Sequence, residues 1–239
     1  MSENKKTKRR LVLLANAAAV FLVVFVLAEL ILLPAPWTVG ALRTHDPGTT
    51  AVMKERIHQA KAAHTMYKLQ QTFIPLERIP DTLVHAVIVA EDGTFFEHHG
   101  VDWYEVRQSL EKDWSEKKIV RGSSTITMQL AKNLWFSTSR DPLTKFNEVI
   151  AAYMLEHYLT KDRILELYLN EIEFGPGIFG VEAASRHFFD KSVSGLSRDQ
   201  AVRLAAVIPS PIRHTPSSNS RFISERSDLI QLRMESRGW

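Results

Sequence analysis

The stretch AEDGTFFEHHG at positions 90–100 places two acidic residues, Glu91 and Asp92, directly after the apolar run LVHAVIVA. A carboxylate among apolar neighbours is costly unless it is paired or used in chemistry. The periodicity predicts a helix that ends at Glu91, and both the negative helix end and the apolar surroundings raise the pKa of this carboxyl. A carboxylate tuned in this way suits general-base catalysis near neutral pH. Taken alone, the stretch is better explained by an ion pair of Glu91 with His98, His99 or a lysine.

A second stretch, RGSSTITMQLAKN at 121–133, combines hydroxyl side chains with the predicted start of a helix near Thr125. Gln129 and Lys132 are spaced i and i+3, so they share one face of this helix. The backbone N–H groups and the cation suit an anionic ligand, although the spacing differs from that of a phosphate loop. A surface helix capped by hydroxyl groups is an equally good explanation.

The third stretch, SRDPLTKFNEVIAAYMLE at 139–156, places Arg140 before a turn and Lys145 and Glu148 at i and i+3 on the helix that follows. A surface ion pair, typically worth less than ~1 kcal/mol, is the better explanation of such a pair in isolation. The fourth stretch, EFGPGIFGVEAASRHFF at 173–189, has three glycines that permit close backbone approach. Composition alone gives it no chemistry.

The elements that must position these side chains are predominantly helical. Apolar periodicity and caps predict helices at 51–73, from 81 onward, at 161–170, at 197–208 and, more weakly, at 222–236. A capping box, Ser197 with Gln200, opens the fourth of these. The only plausible extended segment is VRGSSTIT at 120–127. The sequence therefore predicts a mainly α domain.

The bulk composition limits the class of protein. With 239 residues and no cysteine, the chain is long enough for one domain plus an appendage and has no disulfide framework or thiolate metal site. The formal net charge is only +3, and five cations lie in residues 1–10. The remainder therefore lacks the basic character that indicates nucleic-acid binding, and no nucleic acid is expected as a partner.

Residues 11–33 form an apolar run that only Asn16 and Glu29 interrupt. At about 1.5 Å per residue, a helix of this length crosses a hydrocarbon core of roughly 30 Å. The basic residues before it predict a cytoplasmic N-terminus under the positive-inside rule. A cleaved signal peptide is the alternative, but the run is long for one.

In this order, EDGTFFEHHGVDW, RGSSTITMQLAKNL, TKFNEVIAAYMLE and DRILELYLNEIEFGPGIFGVEAA closely resemble the successive motifs of the peptidoglycan glycosyltransferases. The resemblance extends from about Ile79 to Arg213 and is closest to the monofunctional branch, the biosynthetic peptidoglycan transglycosylases. It implies an inverting enzyme that polymerises lipid II into β-1,4-linked glycan strands outside the cytoplasmic membrane and releases polyprenyl diphosphate. The implied fold is a mainly α, lysozyme-like domain.

The resulting organisation has four parts. These are a cytoplasmic basic tail at 1–10, a transmembrane helix at 11–33, a membrane-proximal connection at 34–75 and a glycosyltransferase domain at 76–239. The implied partners are lipid II, the nascent glycan strand, the membrane and the cell-wall synthesis machinery. The implied location is the inner membrane, with one pass and the catalytic domain in the periplasm or outside the cell.

The resemblance also implies roles for individual residues. Glu91 is the base that deprotonates the acceptor 4-hydroxyl, and Glu148 is a second catalytic acid near the diphosphate. The implied diphosphate-binding residues are Lys132, Arg140, Gln129 and Lys145, and the motif-supporting residues are His99, Gly100, Ser124 and Thr125. No cofactor is required, although a divalent ion, Mg²⁺ or Mn²⁺, bridging Glu148 to phosphate is compatible with the motif.

Three positions depart from the family pattern. Ser123 stands in place of a glycine, Met128 in place of a glutamine, and Thr144 where an arginine is usual. The last change removes one cation near the donor site, for which Arg121 could compensate. Because the charged motif residues remain, an active enzyme is expected.

Two other functions are alternatives to glycan synthesis. A lysozyme-like enzyme that cleaves glycan also uses a glutamate, but it needs a general acid and no diphosphate clamp. A non-catalytic scaffold that binds cell-wall partners is supported only by the three departures.

Overall fold

The computed structural model describes residues 32–116, 124–136, 138 and 141–239, together with isolated positions between 8 and 24. The chain divides into two compact units, Met1–Ala35 and Pro36–Trp239. About half of the predicted transmembrane helix 11–33, including 25–31, lies outside the described residues. Within the described part of the chain, no helix combines the length and the apolar character needed to cross a membrane.

The unit Pro36–Trp239 is mainly helical, as predicted. Its α-helices are α1 Pro36–Ala41, α2 Ala51–Ala62, α3 Asp81–Glu91, α4 Trp103–Glu116, α5 Ile126–Trp135, α6 Pro142–Tyr158, α7 Lys161–Glu171, α8 Val181–Phe189, α9 Arg198–Val207 and α10 Arg221–Ser236. Short 3₁₀ turns occur at Leu76–Arg78 and Val193–Gly195. The domain boundary predicted at residue 75 stays a prediction. Helix α2 precedes that position and packs against α5, which follows it, within the same compact unit.

Two helices form the centre of the unit. Helix α3 packs against α9 and α10, and its apolar face, including Leu83 and Val87, is fully buried. Helix α5 packs against α2, α6 and α7. Helix α3 ends at Glu91, as predicted, and α5 begins after the N-cap Thr125, also as predicted. The motif side chains are therefore carried by rigid, packed helices.

A small three-stranded sheet was not predicted from the sequence. Its strands are β1 Gln70–Gln71, β2 Glu173–Gly175 and β3 Ile178–Phe179, in the order β1-β3-β2, with β1 parallel and β2 antiparallel to β3. Gly177 has a φ of +77°, and a Cβ there would lie 2.5 Å from the Lys68 carbonyl oxygen. A glycine is therefore required at this point for β1 to approach the β2–β3 turn.

Two of the predicted elements are wrong in part. The predicted helix 51–73 ends at Ala62, because His64 adopts a left-handed conformation with a φ of 51°. The predicted extended segment 120–127 lies partly outside the described residues, and its last two residues open α5. The capping box of Ser197 and Gln200 at the start of α9 and the helices near 161–170 and 222–236 are confirmed.

Candidate active site

Glu91 lies at the C-terminal end of α3 with its side chain only 9% exposed. Its Oε2 accepts a hydrogen bond from Gln129 Nε2 at 2.9 Å. Its Oε1 receives no hydrogen bond within the described part of the chain, and the nearest atom of Arg226, Nη2, lies 3.5 Å away. The carboxylate is therefore fixed by a hydrogen bond to one oxygen, while the other oxygen is buried beside the Arg226 guanidinium.

Burial raises the pKa of Glu91, as expected from its apolar surroundings. The Gln129 hydrogen bond and the charges of Arg226 and Lys132 lower this pKa, and the charge of Asp92 raises it further. Because burial is the largest effect, the net pKa lies above the usual range of a glutamate, where a general base near neutral pH is most useful.

Gln129 is itself held in place. The hydroxyl of Tyr168 in α7 donates to Gln129 Oε1 at 3.0 Å, which directs the Gln129 amide N–H group toward Glu91. Tyr168 is fully buried. A chain of two hydrogen bonds therefore fixes Glu91 from the core.

Asp92 has a structural role that differs from that of its neighbour. Its Oδ2 accepts from the backbone N–H of Ile126 at 2.9 Å, and its Oδ1 lies 3.0 Å from His98 Nε2. The N–H of Met128 donates to Thr125 Oγ1 at 3.1 Å. The expectation that the N-terminal N–H groups of α5 bind an anionic ligand is therefore wrong for these two groups, because side chains of the protein already satisfy them.

The motif-supporting residues fall into two sets. Thr125 Oγ1 donates to the Gly100 carbonyl at 2.5 Å, and Gly100 has a φ of +91°, with Ala152 backbone 3.3 Å from where a Cβ would lie. These contacts join the first and second motifs. Ser124 Oγ bonds the ammonium of Lys145, whereas His99 is exposed.

Glu91 lies between two cavities. The first has a volume of about 750 Å³ and the second about 510 Å³, and both are lined by Glu91, Ser124, Gln129 and Pro209. The charged residues that line only the first cavity include Asp92, Asp102, Glu105, Arg226, Arg233 and Arg237. Those that line only the second are Arg56, Lys132, Asp141, Lys145, Glu148 and Glu173. The two cavities therefore adjoin at Glu91 and differ in the charged residues that line them.

The second cavity contains an ion pair whose acid is buried and whose cation is exposed. Lys145 Nζ lies 2.8 Å from Glu148 Oε2 and 2.7 Å from Ser124 Oγ. The Glu148 side chain is 6% exposed, whereas that of Lys145 is 45% exposed. The ion pair that the spacing predicted is therefore present, but only Lys145 lies at the surface, and the buried Glu148 holds an ammonium group that lines the cavity.

The remaining predicted residues and departures have varied positions. Lys132 lines the second cavity. Arg140, Ser123 and Arg121 lie outside the described residues. Met128 packs in a buried apolar cluster with Val101 and Ala152. Thr144 bonds the N-cap Asp141 through its backbone N–H (2.8 Å) and its hydroxyl (2.6 Å), so it stabilises the start of α6.

Three contacts at the site were not predicted from the sequence. These are the approach of Arg226 to Glu91, the support of Gln129 by Tyr168, and the pair between Arg56 and Glu173, in which Arg56 Nη2 lies 2.8 Å from Glu173 Oε2. Each joins residues that are far apart in the chain, so no local spacing indicates it.

Comparison with known proteins agrees with this arrangement. Residues 58–235 match the family model described as transglycosylase. The chain is 39% identical over 234 residues to a biosynthetic peptidoglycan transglycosylase of Bordetella pertussis, covering 96% of this chain and 97% of that protein. It is 41% identical over 198 residues to one of Janthinobacterium sp., covering 83% and 86%, respectively. The chain therefore belongs to the transglycosylase family.

Proposed function

We propose that this protein is a peptidoglycan glycosyltransferase that polymerises lipid II into β-1,4-linked glycan strands and releases polyprenyl diphosphate. The observation that carries the proposal is the position of Glu91, a buried carboxylate with one oxygen that receives no hydrogen bond among the described residues, beside two cavities of which the second is lined by Lys132 and Lys145. A polymerase needs such an arrangement, because a sugar hydroxyl must meet the anomeric carbon of a second molecule that carries a diphosphate.

Glu91 is the general base of this reaction. Its Oε1 takes the proton of the acceptor 4-hydroxyl, and the oxygen of that hydroxyl attacks C1 of the donor sugar. The bond from C1 to the diphosphate oxygen breaks as the new bond forms, and C1 is inverted. The raised pKa of Glu91 supports this role, since it makes the carboxylate a stronger base than a solvated glutamate.

The second cavity takes the diphosphate of the donor. Lys132 and Lys145 line it, and negative charge that grows on the departing diphosphate is stabilised best by cations held in place beforehand. The family resemblance implies the same role for Arg140, which lies outside the described residues. Glu148 keeps the Lys145 ammonium in position through the 2.8 Å contact. Gln129 orients Glu91 and also lines the cavity assigned to the diphosphate, so its predicted contact with the diphosphate is kept in this scheme.

The protein requires no cofactor in this scheme. The Lys145 ammonium already lies on Glu148, where a Mg²⁺ or Mn²⁺ ion bridging to phosphate would otherwise be expected. Among the described residues, no group of three or more His, Asp or Glu side chains is arranged to hold a metal ion. A divalent ion would therefore act at Glu148 only together with phosphate oxygens of the substrate.

A glycan-cleaving enzyme is the second candidate, and one observation favours it. A buried glutamate with a raised pKa is also what a general acid needs. Such an enzyme has no diphosphate to bind, so it leaves the two lysines of the second cavity without a function. Synthesis is therefore the better explanation.

The proposed location follows from the substrate and from the N-terminal sequence. Residues 11–33 anchor the chain in the inner membrane with the N-terminus in the cytoplasm, and the catalytic domain acts on lipid II and the nascent strand on the outer side. The cell-wall synthesis machinery is the proposed protein partner.

A lipid II polymerisation assay on the detergent-solubilised full chain tests the proposal. The expected products are glycan strands and polyprenyl diphosphate. Release of fragments from preformed glycan without polymerisation would identify a cleaving enzyme. Binding of lipid II without either reaction would identify a scaffold.

A further inference from the structure

An arginine outside the four motifs lies next to the candidate base. Arg226 belongs to α10, and its Nη2 is 3.5 Å from Glu91 Oε1, the oxygen that receives no hydrogen bond within the described residues. The guanidinium is fixed independently of Glu91. Its Nε donates to the Ala206 carbonyl at 3.1 Å, and its Cζ lies 5.9 Å from the ring centroid of Phe222. A cation is therefore held beside the oxygen that is to accept the proton.

We propose that Arg226 is a positioning residue for Glu91, which holds the unbonded oxygen in the cleft and favours the ionised form that accepts the acceptor proton. This inference rests on the proposed function. Its geometric basis is that the two oxygens of the Glu91 carboxylate have different neighbours, because Gln129 bonds Oε2 and the Arg226 guanidinium lies beside Oε1. The two contacts come from different helices, α5 and α10.

The charges around Glu91 explain why such a cation is needed. Burial favours the protonated acid and raises the pKa of Glu91, and the neighbouring Asp92 acts in the same direction. Opposing them are the Gln129 hydrogen bond, then Arg226 and then Lys132, each of which lowers this pKa. Lys132 lines the cavity assigned to the diphosphate, so its charge is shared with the substrate. Arg226 lines the first cavity and not the second, so its charge is not shared with the diphosphate.

A purely structural role for Arg226 makes a different prediction. Its bond to Ala206 links α10 to α9, and losing it lowers stability without changing the titration of the base. Arg233 provides a matched control. It is two turns further along α10, lines the same first cavity and bonds a backbone carbonyl, that of Val89, at 3.1 Å.

The experiment is the pH dependence of lipid II polymerisation for the full-length wild type, Arg226→Gln, Arg226→Lys and Arg233→Gln. The wild-type rate rises with pH as Glu91 ionises. Without the cation, Glu91 keeps its proton to higher pH, so the acid limb of the Arg226→Gln profile moves to higher pH. At pH values below the pKa of Glu91, the rate of Arg226→Gln should be roughly tenfold lower than that of the wild type for each pH unit by which the limb moves. At higher pH the difference between the two rates should become smaller. Arg226→Lys and Arg233→Gln keep the limb at the wild-type position.

An Arg226→Gln profile that is lowered equally at all pH values, or an equal shift in Arg233→Gln, overturns the inference. Thermal unfolding shows whether each variant folds. If Arg226→Gln does not fold, Arg226→Met, which removes the charge but keeps a long side chain beside Phe222, takes its place in the same comparison. A limb that moves in Arg226→Lys although the charge is retained contradicts the electrostatic role. If the wild type does not polymerise lipid II, the proposed function fails, whereas a polymerising wild type with an unmoved Arg226→Gln limb rejects only the role of Arg226.

Discussion

The free energy of unfolding of the Glu171→Gln variant, taken relative to that of the wild type, is expected to increase as the pH rises. Glu171 ends α7 with 0% exposure, and neither carboxyl oxygen has a hydrogen-bond partner within the described residues. Burial raises its pKa to about 8, and the charge of Asp46 adds to this effect. Gln71 and Arg163 lower the pKa, but the Gln71 amide donates to the Asn170 carbonyl at 2.9 Å.

The sign and size of the effect follow from proton linkage. An unfolded glutamate ionises near pH 4.3, whereas the folded one keeps its proton up to about pH 8. Between these values the folded state binds the extra proton, so the free energy of unfolding falls by up to about 1.4 kcal/mol per pH unit as the pH rises. From pH 5.5 to 7.5 the wild type should lose about 2–3 kcal/mol relative to Glu171→Gln. For a domain of this size, that corresponds to roughly 5–10 °C in Tm.

The assay is thermal unfolding of wild type and Glu171→Gln at several pH values between 5.5 and 7.5. Taking the difference between the two proteins cancels the titration of every other group that they share. Glu77→Gln, which removes an exposed glutamate, controls for the loss of one carboxylate. A Tm difference that does not change with pH, or that changes in favour of the wild type as the pH rises, would refute the argument that Glu171 is protonated in the folded protein.

Three further predictions concern the proposed reaction and its location. Lys132→Ala and Arg140→Ala each remove a charge-assisted contact worth ~1.5–3 kcal/mol, so turnover should fall roughly tenfold to a few-hundredfold; near-normal turnover of either variant excludes that residue from the diphosphate site. Glu148→Gln should lose most activity because the Lys145 ammonium is no longer held, and added Mg²⁺ or Mn²⁺ should affect the wild type more than the variant; an equal response leaves Glu148 only the task of orienting that ammonium. A reporter fused after Trp239 should be active only outside the cytoplasm, and activity inside would contradict the predicted topology.

Local sequence patterns predicted the parts of the site that neighbouring residues determine. The end of α3 at Glu91 follows from an apolar helix that meets a polar turn, and the start of α5 follows from the N-cap Thr125. The upward direction of the Glu91 pKa could also be predicted, because the apolar run before Glu91 is typical of a buried helix. The structural role of Asp92 could not be predicted, since its partner is the N–H of Ile126, which is 34 residues away in the chain.

Contacts between distant segments were beyond local patterns. Nothing near Arg226 indicates that α10 packs on α3 and brings it to Glu91. The burial of Glu148 was missed for the same reason, because KxxE spacing is identical on an exposed and a buried helix face. The strands escaped prediction because they are only two or three residues long, too short for an alternating pattern. The role of Arg140 stays a prediction.

The most direct test of the central claim compares Glu91→Gln with Asp92→Asn in one lipid II polymerisation assay, well below the Tm of both. Removing the base should cost Glu91→Gln about 10²–10⁴-fold in rate, while folding and lipid II binding are kept. Asp92→Asn weakens the contact with the Ile126 N–H, so it should lower Tm but retain far more activity. If Asp92→Asn abolishes polymerisation and Glu91→Gln does not, the base has been assigned to the wrong residue, and if both variants polymerise normally, the proposed mechanism is contradicted.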